Sequence, residues 1–134
     1  MLSAEVELEI PFHDVDSMAV VWHGHYAKYF EVARCELLRS FHYDYPQMQA
    51  SGYLWPVVDL QVKYVRPARY AQRIKVEATL VEYENRLKIA YRIKDAGTGE
   101  VLTRGHSIQV AVEAESQELQ FVSPEILRRN VEQS

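Results

Sequence analysis

Asp14, Asp16, His23 and His25 stand in one short run, residues 13–25, which reads His-Asp-Val-Asp-Ser-Met-Ala-Val-Val-Trp-His-Gly-His. A carboxylate can attack a carbonyl carbon or activate a water that does so, and an imidazole moves protons near neutral pH. Asp also favours turns and helix starts, so a local structural role for Asp16 stands beside a catalytic one. Asp14, two residues earlier, reads as a hydrogen-bonding anchor of the loop. His23 either presents a backbone N–H or its imidazole to a bound carbonyl, or caps a helix and packs beside Trp22. His-x-His beside two carboxylates is also a zinc-type donor set. No second His or Cys group with ligand spacing occurs in the chain, so the expectation is no metal. Cys35 has no relay residues placed around it, and there is no Gly-x-Ser-x-Gly elbow. Thiol and serine nucleophiles are therefore not expected.

The elements that must hold this run follow from the periodicity on either side. Residues 4–12 alternate apolar and acidic, which predicts a strand with one buried face that leaves its ladder at Pro11. From Tyr26 the period becomes helical. Tyr26, Tyr29, Phe30, Ala33, Leu37, Leu38 and Phe41 share one face, predicting a helix over about 24–42. Glu31 and Arg34 on it are spaced to pair. After Gly52 alternation returns at Val58–Tyr64, Ile74–Leu80 and Leu87–Ile93, and residues 95–99 form a glycine turn. Residues 100–114 read as a last long strand. Ser123-Pro124-Glu125 predicts a short helix with Ser123 as its cap and Pro124 first inside it.

This order gives a single α+β domain over 1–134, one helix on a five-stranded antiparallel sheet. Its edge strands stay exposed unless they pair with another subunit. With 48% hydrophobic and 25% charged residues and a net charge of −4, the chain suits a globular fold and lacks the basic face of a nucleic-acid binder. One cysteine excludes an internal disulfide. No leader pattern and no apolar run of ~20 residues occurs, so a cytoplasmic protein without a membrane span is expected.

The segment from Asp14 to Tyr26, followed by Tyr29-Phe30-Glu31 and Ala33-Arg34, resembles the signature of hotdog-fold thioesterases of the 4-hydroxybenzoyl-CoA thioesterase type, including the Tol-Pal-associated acyl-CoA branch. Tyr64-Val65-Arg66-Pro67-Ala68-Arg69-Tyr70 is similar to that family's segment between its second and third strands. The resemblance implies a hotdog fold: one long helix wrapped by a curved antiparallel five-stranded sheet, with two sheets joined edge to edge in a homodimer, possibly a tetramer. It implies hydrolysis of an acyl-CoA or acyl-carrier-protein thioester at sites on the dimer interface, with no cofactor.

By the same resemblance Asp16 is the catalytic carboxylate and His23 acts beside it. Val21, Trp22, His25 and Tyr26 line the substrate, with His25 standing where the family usually has asparagine. CoA carries phosphates, so an acidic chain needs local cations. Arg66, Arg69, Arg73, Arg86 and Lys88 are the candidates, and Arg86 and Lys88 resemble the family's nucleotide-contacting run. Two other readings remain at this level. One is a hotdog dehydratase or hydratase on carrier-bound acyl chains, using His23 or His25. The other is a dimer that binds acyl groups or a carrier protein without turnover.

Overall fold

The computed structural model describes residues 2–134. In chain order it contains β1 (Ser3–Glu9), α1 (Tyr26–Ser40), α2 (Tyr45–Ala50), β2 (Tyr53–Leu54), β3 (Val57–Tyr64), β4 (Arg73–Glu82), β5 (Leu87–Asp95), β6 (Val101–Gln109), β7 (Val112–Glu113) and α3 (Glu125–Glu132). Short 3-10 turns at Phe12–Asp14 and His23–His25 precede α1. Five strands form one antiparallel sheet in the order β1-β4-β5-β6-β3, and β2 pairs with β7.

The helical face read from the sequence is the buried one. Tyr26, Tyr29, Phe30, Ala33, Leu37, Leu38 and Phe41 lie in one core with Ile74, Val76, Ala78 and Leu80 of β4 and Leu87, Ile89, Tyr91 and Ile93 of β5. Phe30 stacks on Tyr91 with centroids 4.4 Å apart and rings within 5° of parallel. Gly105 of β6 permits this approach. A Cβ there would stand 2.7 Å from the Phe30 ring and 2.3 Å from the Gln61 carbonyl oxygen. At the glycine turn, Asp95 Oδ1 accepts from the Gly97 and Thr98 N–H groups, both at 2.8 Å, and Gly99 takes φ +77°.

Several expectations are corrected. The long helix is α-helical over Tyr26–Ser40, narrower than 24–42, because residues 23–25 wind as a 3-10 turn and Phe41 leaves helical geometry. A second helix, α2, was not anticipated. Asp44 and Gln47 form a reciprocal capping box at its start, with Pro46 in its first turn. The last strand stops at Gln109 rather than continuing to 114, and the chain then turns to pair β7 with β2. Ser123 does not cap α3. Pro124 holds the cap position without a side-chain bond, and the Ser123 hydroxyl is buried without a partner among the described residues.

β3 behaves differently from the inner strands. It is an edge strand, and Val57, Val58, Leu60 and Tyr64 are all exposed, although they include the alternating apolar residues of a buried face. Among the described residues no strand pairs with the outer side of this edge. No described helix is long and apolar enough to cross a membrane.

Candidate active site

The titratable run is folded into a small hairpin-like loop that docks on the body of the protein. Val15 bridges to Val21, and Val20 bridges to Arg69. Inside the loop the Asp16 N–H donates to Val20 O at 2.8 Å and Asp16 O accepts from Ala19 N–H at 3.0 Å. Ala19 sits at φ +63°, the left-handed region that a residue other than glycine enters only when its surroundings hold it. The Asp16 carboxylate accepts one bond, from Met18 N–H at 2.8 Å. It is half-buried at the loop tip, with its second oxygen in no side-chain hydrogen bond among the described residues.

Asp14 faces the other way. It is 1% exposed and accepts from Lys28 Nζ at 2.8 Å on each oxygen and from Tyr29 Oη at 2.6 Å. His13 and His25 Nε2 lie 3.6 and 3.9 Å from Oδ1. Burial alone would raise this carboxyl, but the Lys28 and Tyr29 bonds and the neighbouring positive charge outweigh it and hold its pKa below the usual carboxylate value. The same contact, added to burial, pushes the Tyr29 phenol well above its ordinary value. Among the described residues no group of three or more His, Cys, Asp or Glu side chains is arranged to hold a metal.

The start of the helical segment is fixed from below. Tyr64 Oη donates to His23 O at 2.7 Å, the Tyr26 hydroxyl accepts from Ala68 N–H at 3.2 Å, and the two rings meet edge to face at 5.0 Å. Val21 N–H donates to Ala68 O at 2.8 Å. The Trp22 ring folds over Gly24, where a Cβ would meet it at 2.1 Å, and lies against both His23 and His25. No side chain caps the turn at His23–His25, so its leading N–H groups remain available as donors. Val21, His23, Tyr26, Tyr64, Val65 and Arg66 line a small cleft of about 190 Å³ beside it.

The fold thus brings together Val21, Trp22, His23, His25, Tyr26 and Arg66 around the base of the loop whose tip carries Asp16. Within one chain it does not bring Arg86 and Lys88 to them. Lys88 pairs with Ile108 and its neighbour Leu87 with Gln109, at the Val57 end of β3, whereas the loop lies at the Tyr64 end, beside Thr103 and Ile93. Arg86 is paired with Glu82 at 2.8 Å and Arg73 with Glu7 at 2.7 Å. Arg66 and Arg69 face one open surface cleft beside the loop. Tyr64 and Lys28 are the positioning residues that sequence reasoning passed over. Tyr64 holds the His23 carbonyl and Lys28 the Asp14 carboxylate, contacts between residues far apart in the chain.

Residues 10–129 match the profile of the thioesterase-like superfamily. The chain belongs to that superfamily. A Bacillus subtilis protein provisionally named acyl-CoA thioesterase YneP is 29% identical over 111 residues, covering 82% of this chain and 80% of its own. The solved structure of a DHNA-CoA thioesterase from Staphylococcus aureus superposes with TM-score 0.81 at 29% identity, covering 89% of this chain and 80% of that one. A 1,4-dihydroxy-2-naphthoyl-CoA thioesterase from Synechocystis has the same fold, with TM-score 0.85 at 19% identity over 96% of this chain and 95% of that one. The fold is the hotdog fold, and the chain is a thioester hydrolase of this superfamily.

Proposed function

We propose that the protein hydrolyses acyl-CoA thioesters in the cytoplasm with Asp16 as its catalytic carboxylate, and that it works as an edge-paired dimer. The observation that carries this is the Asp16 carboxylate itself, held at the tip of a strained, docked loop beside an uncapped helical start. The thioester carbonyl accepts from the N–H groups of His23 and Gly24, the His25 N–H being bonded to Trp22 O, and the helix dipole there favours developing negative charge. Asp16 attacks the carbonyl carbon or takes a proton from the water that does so. If Asp16 attacks, the C–S bond breaks, the sulfur leaves and acquires a proton, and water then cleaves the acyl–Asp16 anhydride to the free acid and the carboxylate; if Asp16 takes a proton from water, the water oxygen adds to the acyl carbon, the C–S bond breaks and the sulfur leaves with a proton.

The dimer is supported by the bare β3 edge. Its exposed apolar residues and unpaired backbone groups are the features that edge-to-edge pairing satisfies. Arg66 and Arg69, next to the loop, are the cations best placed for CoA phosphates. Thiol release measured over short, long, branched and aromatic acyl-CoA, with the acyl-carrier-protein form in parallel, tests the reading. Release from at least one class is expected. No release from any class sinks it.

A further inference from the structure

The Asp14 carboxylate has an acceptor position to spare. An ionised carboxylate offers about four lone-pair sites. Lys28 Nζ takes one on each oxygen, and Tyr29 Oη takes a second on Oδ2. The remaining site is on Oδ1, and Asp14 is 1% exposed, so that site is closed to bulk water.

Two imidazoles face this oxygen. His13 Nε2, from the same 3-10 turn as Asp14, lies 3.6 Å away, and His25 Nε2, from the turn before α1, lies 3.9 Å away. Both stand beyond hydrogen-bond distance. The His13 side chain is 80% exposed against 31% for His25, so it is the more screened by solvent and the more costly to order. The other titratable groups around His25 are Lys28 and Tyr29 of α1, both already bonded to Asp14, and His23 of its own turn, which shares the Trp22 ring with it.

The turn at His23–His25 presents the His23 and Gly24 N–H groups as donors. It is held at two points. Trp22 N–H donates to Asp14 O at 3.0 Å, and Tyr64 Oη donates to His23 O at 2.7 Å. Its third corner is the His25 ring, 3.9 Å from the open site on Asp14.

We propose that His25 is a positioning residue which, as an imidazolium, donates from Nε2 to Asp14 Oδ1 and fixes the oxyanion turn at a third point. This rests on the thioester hydrolysis proposed above. An imidazolium carries a donor on both ring nitrogens, so the tie forms from either neutral tautomer. Its charge also stands beside the N–H groups where the carbonyl oxygen gains negative charge. Turnover is therefore higher below the imidazole titration and falls as pH rises through it. Ionisation of the Asp16 carboxylate sets the limit on the acid side.

Thiol release is followed from about pH 6 to about pH 8, above the ordinary carboxylate range. In the wild type kcat is expected to fall by about threefold to tenfold across this range, the size of one charge added at a helix start, with KM steady because the tie acts on the oxyanion. His25→Gln places an uncharged N–H donor near the Nε2 position, and His25→Asn is one methylene shorter. Both profiles should be flat, with the glutamine variant the faster. A flat wild-type profile overturns the role of His25, and so does a fall of wild-type size kept in His25→Asn, which would belong to His13 or His23. If no acyl-CoA is cleaved, thioester hydrolysis fails separately. Crystal structures of the wild type at about pH 5.5 and about pH 8.5, on either side of the imidazole titration, then decide the tie. An Nε2–Oδ1 separation of about 2.8 Å at the lower pH, the length of a charge-assisted bond, supports it. A separation that stays at 3.9 Å at both overturns it.

Discussion

The Tyr29 hydroxyl donates a 2.6 Å hydrogen bond to Asp14 Oδ2, tying the first turn of α1 to the loop that carries Asp16. Together with Lys28 it makes Asp14 an internal anchor, so the two aspartates of the Asp-x-Asp motif have opposite surroundings. Asp14 is enclosed and triply bonded, whereas Asp16 has one bond at an open tip.

The anchor has a pH signature. The folded Asp14 pKa lies below its unfolded value, because the Lys28 and Tyr29 bonds outweigh burial. Its contribution is therefore present above the unfolded value, about 3.9, and is lost as pH falls through the folded value. Asp14→Asn should lower stability at pH 7 by about 1.5–3 kcal/mol, the range for bonds to a charged acceptor, and should flatten the stability loss below about pH 4. Urea unfolding at pH 7, 5 and 3 reads both. Tyr29→Phe should be non-additive with it, since the two side chains share one bond.

Asp16→Asn keeps an oxygen for Met18 N–H, so the loop should hold its shape. Stability is expected to stay within about 0.5 kcal/mol of wild type, while turnover falls by about 100-fold or more. A thermal melt beside thiol-release kinetics separates the two effects. Near-wild-type turnover would remove Asp16 from the chemistry.

The two crowded glycines should respond differently. At Gly105 an added methyl meets the Gln61 backbone oxygen at 2.3 Å and the Phe30 ring at 2.7 Å, and backbone cannot step aside. Gly105→Ala should destabilise by about 1–3 kcal/mol, as overpacking does. At Gly24 the obstacle is the Trp22 side chain, which is 48% exposed and free to swing away. Gly24→Ala should leave the melting temperature almost unchanged but raise KM, because Trp22 and the neighbouring histidines are displaced. Equal loss of stability in both variants would contradict this assignment.

Leu60→Asp places a charge on the open β3 edge, where Leu60 is 46% exposed in one chain. It should leave the monomer fold intact by circular dichroism, shift sedimentation to the monomer, and abolish turnover with it. A fully active dimer in this variant would mean that the edge is not the interface.

Local periodicity was enough for the elements that face the core. The helical face from Tyr26 to Phe41 and the inner faces of β4 and β5 were legible because each buries a regular stripe, and burial imposes the period. The Asp44–Gln47 capping box is a local signal as well, with Pro46 in the first turn of the helix it opens. The spacing of Asp14, Asp16, His23 and His25 marked out the loop. Which aspartate is sheltered and which is open depends on Lys28 and Tyr29 folding back onto Asp14, a contact across fourteen and fifteen residues. The same alternation at Val58–Tyr64 that reads as a buried face proved to lie on an edge. Strand order is a non-local property, so only the tertiary structure could show that these apolar side chains stand exposed on an edge strand. It alone could also show that, within one chain, Arg86 and Lys88 lie at the far end of the sheet from Asp16.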